Sequence, residues 1–224
     1  MTHLRASEWE VRPVSIAWGR ELVRRHHYAK GASNTAVYVH GLFRFGTHRP
    51  LGVAWWIPPT KACAVANYPE GAWQKVLALS RLVIHPDVPT NGASFLIGRS
   101  VRFIQAAGEW ECLLTYADTW QNHSGAIYKA TNWEDRGETK PLPVWVDPLT
   151  NRLVARKAGP ETRSRAEMEA LGYVLLGHYP RKRFRMILKP SRRAPERQRD
   201  LFPVEREMAS KTRQIERISM SRTR

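Results

Sequence analysis

Three short stretches hold most of the residues in this chain that could do chemistry. CLLTYAD, Cys112–Asp118, is an apolar run that stops on a carboxylate and gives way to a polar segment, TWQNHSG. A carboxylate gains nothing from burial unless it has a partner, so Asp118 is a candidate general base. Arg81 interrupts another apolar run, VLALSRLVI, Val76–Ile84, and is the expected counter-ion. A purely structural pair would look the same in sequence. RRHHYAKG, Arg24–Gly31, sets His26, His27 and Tyr28 beside cations, which offers an imidazole and a phenol; solvated polar groups at a helix end are the bland account of them.

The third stretch is RLVIHPDVPTNGASFLIGRSVRFI, Arg81–Ile104. Its start is β-branched like a strand, and Phe95, Leu96, Val101 and Ile104 lie on helical spacing. Between them is the turn PTNGAS, with Asn91, Gly92 and Ser94. A strand that turns through glycine into a helix presents backbone N–H groups to an anion or an acyl oxygen. Ser94 sits where an N-cap would sit, and capping alone would account for it. NGASF is not the G-x-S-x-G elbow of a serine hydrolase. His27, His123 and Asp118 could in principle share a metal, but their spacing matches no standard ligand pattern.

These groups need elements to position them. Ser15 can cap a helix to about Tyr28, with Ile16, Leu22 and Val23 inward. Thr35–Phe45 and Leu51–Ile57 read as a β-hairpin. A loop or short helix near Glu70–Trp73 leads to the strand Val76–Ile84. The helix after the turn ends at Gly108. Cys112–Asp118 is a buried strand and Gly125–Thr131 a short helix. A second hairpin turns at Asp147–Asn151, Ser164 and Glu167 make a capping box, and KRFRMILK is a last strand. Strand, helix and neighbouring strand make a right-handed crossover in a mixed sheet, so the fold class is α/β. Ligands in such sheets sit at the carboxyl ends of neighbouring strands, which predicts Asn91, Ser94, Asp118 and His123 around one crevice.

The chain has 224 residues, with 36 Lys and Arg against 20 Asp and Glu, a net charge of +16. Such an excess favours a polyanion, most often nucleic acid. The nine Trp add aromatic surface on which bases can stack. No apolar run is long enough to span a membrane and no signal peptide opens the chain. Cys63 and Cys112 form no CxxC and read as reduced core residues. Residues 1–190 are expected to form the folded domain. Residues 191–224 carry ten Lys/Arg, five Asp/Glu and two Pro without a core face, which predicts an extended or partly helical basic arm.

The order strand, turn, helix, strand and the short helix GAIYKATNW resembles the GNAT acyltransferases. That resemblance implies a mixed twisted sheet flanked by helices, a turn that cradles the pyrophosphate of acyl-CoA, and a Tyr near the thioester, here Tyr128. GNAT turns carry two or three glycines and a basic residue; PTNGAS has one glycine, so the side chains of Asn91 and Ser94 would crowd a phosphate. HHYAKG, LSRLVIHPDVPTNGASFLIGRSVR and LLTYAD–NHSGAIYKATNW together resemble the Mom family of Mu-like phages, over roughly Glu21 to Leu188. This closer likeness implies conversion of DNA adenine to N6-carbamoylmethyladenine in the host cytoplasm, which shields phage DNA from restriction. It implies His27, Tyr28, Arg81, Ser94 and Asp118 as site residues, with Tyr128 as their neighbour, and an association with iron. The expected partners are double-stranded DNA and an acyl donor, glycyl-tRNA in preference to acetyl-CoA. Two other readings remain open from sequence: an acetyl-CoA-dependent N-acetyltransferase, and a nucleic-acid-binding module without chemistry.

Overall fold

A computed structural model describes residues 3–158 and 161–189. The expected basic arm lies outside the described residues. The chain runs β1 (Trp9–Pro13), α1 (Ile16–His26), β2 (Tyr38–Arg44), β3 (Gly52–Ile57), α2 (Lys61–Asn67), β4 (Val76–Ile84), α3 (Gly92–Ala107) and β5 (Cys112–Asp118). Then come α4 (Ala126–Ala130), β6 (Glu134–Glu138), β7 (Leu142–Asp147), β8 (Arg152–Val154), β9 (Lys157–Ala158), β10 (Glu161–Thr162), α5 (Arg165–Ala170), β11 (Val174–Tyr179) and β12 (Arg181–Ile187).

The main sheet has seven strands in the order β1-β2-β3-β4-β5-β12-β6. Only β4 and β5 pair in parallel, and α3 makes the crossover between them. A small sheet, β11-β7-β8, is appended beyond it. The fold is α/β and mixed, as the sequence predicts. Ser15 caps α1 by accepting from the Trp18 N–H at 3.3 Å. Gly108, at φ 70, stops α3 in the left-handed conformation that glycine takes without penalty. Among the described residues no helix is long and apolar enough to cross a membrane.

Both faces of the sheet are covered, which explains the long apolar runs of its central strands. On one face α3 packs Leu96, Ile97 and Ile104 against Leu42, Trp56, Leu77 and Leu113. On the other, α1 packs Leu22 and Val23 against Val53, Trp55 and Val83.

One irregularity positions the site. β4 and β5 pair only from Val76↔Cys112 to Leu79↔Thr115. On the other side of β4, Trp56 faces Leu79 and Trp55 faces Arg81, so Ser80 is an extra residue with no partner on β3. Such a bulge bends its strand. β4 therefore leaves β5 at Ser80, and the sheet opens between the two carboxyl ends.

Candidate functional site

The opening is a cleft of about 420 Å³. Leu79, Ser80, Leu82 and Ile84 form the β4 wall, and Thr115, Tyr116 and Ala117 the β5 wall. His27 and Tyr28, just past the end of α1, and the segment Asn122–Tyr128 complete the lining. Gly125 must be glycine there: its φ is +77, and a Cβ would stand 2.2 Å from Phe184.

Asp118 is the last residue of β5, with its side chain only 13% exposed. The Tyr28 hydroxyl donates to its Oδ2. Its Oδ1 lies 2.6 Å from Arg181 Nε, in ion-pair contact without hydrogen-bond alignment. The partner expected from sequence was Arg81, and the structure differs. Arg81 Nε donates to the Gly31 carbonyl at 2.8 Å, and Nη1 to the Ser80 carbonyl at 2.7 Å. The reason is register: β12 runs antiparallel to β5 with Arg181 directly opposite Asp118, whereas the bulge turns Arg81 toward Trp55 and the α1 face. Arg81 still acts on the site through its charge, which adds to burial in lowering the proton affinity of His27; burial lowers the pKa of Arg81 itself, against the pull of Tyr28 and Asp118.

His27 is half-buried and stacks on Tyr28, ring centroids 4.3 Å apart. Its Nδ1 accepts from the Ala29 N–H at 3.0 Å, so in the neutral ring the proton is on Nε2. Burial first, and then the Arg81 charge, pull its pKa from 6.5 down to about 4. At neutral pH this imidazole is a hydrogen-bond donor rather than a base. Burial, and then the bond to Asp118, push the Tyr28 phenol well above its ordinary value, so it stays protonated. Tyr128, also in the lining, is buried against Phe184 and Trp133, and burial raises its pKa as well. His123 lines the cleft 5.8 Å from the Tyr28 ring.

The structure thus brings His27, Tyr28, His123 and Tyr128 into the cleft lining, with Asp118 just behind it on the Tyr28 hydroxyl and Arg81 reaching His27 only through its charge. It does not bring the turn into the same cleft. Asn91, Gly92 and Ser94 are absent from its lining. Asn91, not Ser94, is the N-cap of α3, in the left-handed conformation at φ 68. Its Oδ1 accepts from the Leu4 N–H at 2.9 Å, and the Ser94 hydroxyl donates to the Asn91 carbonyl at 2.9 Å. Both side chains are folded onto backbone. Gly92 is required by packing, since a Cβ would meet Val88 at 2.2 Å.

Sequence reasoning missed Arg181, because nothing local marks it; only the long-range pairing of β12 with β5 does. It also missed Trp120, edge-on to Tyr28 at 5.6 Å, although the segment TWQNHSG pointed to it. The iron implied by the family resemblance does not fit these donors. The Asp118 oxygens are taken by Tyr28 and Arg181, His27 Nδ1 by a backbone N–H, and the described residues form no cluster of metal-binding side chains.

The family-wide sequence pattern of the Mom protein family matches residues 8–191. The chain belongs to the Mom family. No curated protein matches it. Among solved structures it is similar to Arabidopsis thaliana NAA60 in complex with a bisubstrate analogue, with a TM-score of 0.52 and 11% identity over 82% of this chain and 99% of that one. It is also similar to the ribosomal-protein-S5-alanine acetyltransferase of Vibrio fischeri, with a TM-score of 0.50 and 10% identity over 85% of this chain and 100% of that one. At such identities the likeness is one of fold, and this Mom protein has the GNAT acetyltransferase fold.

Proposed function

We propose that this Mom-family chain is a transferase acting on adenine N6 in double-stranded DNA, where it forms N6-carbamoylmethyladenine and so protects phage DNA from restriction in the host cytoplasm. The observation that carries the reading is the line Tyr28–Asp118–Arg181 beside a neutral His27, at the end of a cleft open between two strands. A pure nucleic-acid-binding module has no use for a carboxylate in that place. The net charge of +16 suits DNA and an RNA donor.

The chemistry takes two steps, with glycyl-tRNA as the donor. Adenine N6 attacks the glycyl ester carbon, an N–C bond forms, and the ribose oxygen leaves. The N6 proton passes to the Tyr28 oxygen while the Tyr28 proton passes to Asp118, a relay for which a phenol already bonded to a carboxylate is aligned. Arg181 holds that carboxylate in place. The leaving oxygen regains a proton from the relay or solvent. His27 Nε2–H donates to the carbonyl oxygen as its charge develops. In the second step the glycyl amine attacks C6 through a five-membered ring. The C6–N6 bond breaks and the old N6 becomes the amide nitrogen, taking the proton that the amine loses. Because this step is intramolecular, proximity alone lowers its barrier. The α3 turn lies outside the cleft lining, so the oxyanion falls to His27 and not to the turn. The adenine leaves the duplex to react.

Reconstitution tests this. DNA, labelled glycine, glycyl-tRNA synthetase, ATP and tRNA should place both glycine carbons and the glycine nitrogen in the modified adenine, and RNase added first should stop the reaction. Modification with acetyl-CoA as the only carbon source would overturn the glycyl route.

A further inference from the structure

β12 carries Arg181, Arg183 and Arg185 at alternate positions, so all three stand on the same face of the sheet. Their cross-strand partners on β5 are Asp118, Tyr116 and Leu114. Arg185 is neutralised by Glu70 and Glu134, at 2.6 and 3.0 Å. Arg181 shares Asp118. Arg183 has no carboxylate within ion-pair distance among the described residues. Its Nη2 donates to the Arg136 carbonyl at 2.8 Å, and its Nε is buried with no acceptor. It stands opposite Tyr116, a cleft wall residue. Arg81, next to Ser80 of the β4 wall, also lacks a carboxylate partner among the described residues and bonds only to backbone and Ser80. Around this end of the cleft, guanidinium charge exceeds carboxylate charge, and part of it is poorly solvated. Such a place attracts an anion, and the planar fork of arginine matches phosphate.

We propose that Arg183, with Arg181 beside it, forms a phosphodiester subsite that grips the DNA strand next to the extruded adenine. The inference rests on the adenine reading above. It places DNA rather than the donor here because the Tyr28–Asp118 relay takes its proton from the DNA amine, and Arg181 touches that relay directly. The i, i+2 spacing puts the two guanidinium stems roughly 7 Å apart on one face, so both can reach one backbone segment.

The test is equilibrium binding of the full chain to a fluorescent duplex carrying one mismatched, easily extruded adenine, to the fully paired duplex, and to tRNA, across a salt series. Arg183→Ala should lower the salt slope for the mismatched duplex by about 1, the loss of one phosphate contact. The tRNA slope should stay unchanged. Arg183→Lys should restore most of the slope, since a point charge still holds a phosphate. Thermal melting checks that the loss of the Arg136 contact has not unfolded β6. A slope unchanged in Arg183→Ala, or one that falls for tRNA and not for DNA, overturns the subsite. A wild-type chain that binds tRNA but neither duplex overturns the adenine reading itself, and the subsite with it. A wild-type chain that modifies DNA while Arg183→Ala binds it normally leaves the reading standing and removes only the subsite.

Discussion

The β5–β12 strand pair has two charged ends built from the same ingredients and put to different uses. At one end Arg185, only 11% exposed, donates to Glu134, Glu70 and the Asn67 carbonyl, so its charge and its donors are spent. It ties the segment before β4 and the edge strand β6 to the sheet. At the other end Asp118 faces Tyr28 and Arg181, with Arg81 and Arg183 close by and unmatched by carboxylates among the described residues. Buried polar groups whose bonds are all made specify structure, and those left with capacity are available to a ligand. The sheet itself enforces the contrast: β5 is paired with β4 at the first end and parted from it at the second.

The largest effect should come from the open end. Asp118→Asn keeps the shape and the Tyr28 bond but removes the proton acceptor. DNA modification should fall by about 10²–10⁴-fold, with little change in melting temperature. An equal loss of stability would make Asp118 a mirror of Arg185 and break the comparison.

Arg185→Ala should do the reverse. It leaves the half-exposed Glu70 without its cation and Glu134 with Arg136 alone, at a cost of about 2–3 kcal/mol in urea unfolding, discounted for their exposure. Modification per folded molecule should not change. A variant that melts like wild type would show that the closed end is not a latch.

Acid should sharpen the picture further. Burial holds His27 and His40 down to about 4, from 6.5. The unfolded chain therefore takes up protons first as pH falls, so stability should be level above about pH 6.5 and decline between 6.5 and 4. His40→Gln and His27→Gln should each flatten that decline, and His27→Gln alone should also slow modification. A decline that neither substitution alters would place its origin elsewhere. The smallest effect belongs to a region tied to neither end. Ser164 accepts from the Glu167 N–H in the capping box of α5, so Ser164→Ala should cost about 1 kcal/mol and leave activity untouched.

Much of this molecule is legible in its sequence, and the illegible parts share a cause. β4, β5 and the end of α3 follow from apolar runs and a C-terminal glycine, and the strand–turn–helix order predicts the crossover. β6, EDRGE, is exposed throughout and has no apolar face; only backbone pairing to β12 makes it a strand. β1 is a short edge strand that ends in proline. α2 hides in KACAVAN, too short for a clear period, and is started by the Thr60 cap. Within the site, His27, Tyr28 and Asp118 are visible because polar groups end apolar elements. The true partner of Asp118 is not, because it comes from a strand far along the chain and because one bulge residue, Ser80, turns Arg81 aside.

Mass spectrometry of nucleosides from the DNA of bacteria expressing the wild type, Asp118→Asn or Arg185→Ala tests the central claim most directly. The account predicts deoxyadenosine carrying a carbamoylmethyl group with the wild type, none or traces with Asp118→Asn at equal soluble protein, and modification in proportion to folded protein with Arg185→Ala. Unmodified deoxyadenosine with abundant folded wild type, or full modification by Asp118→Asn, would contradict it.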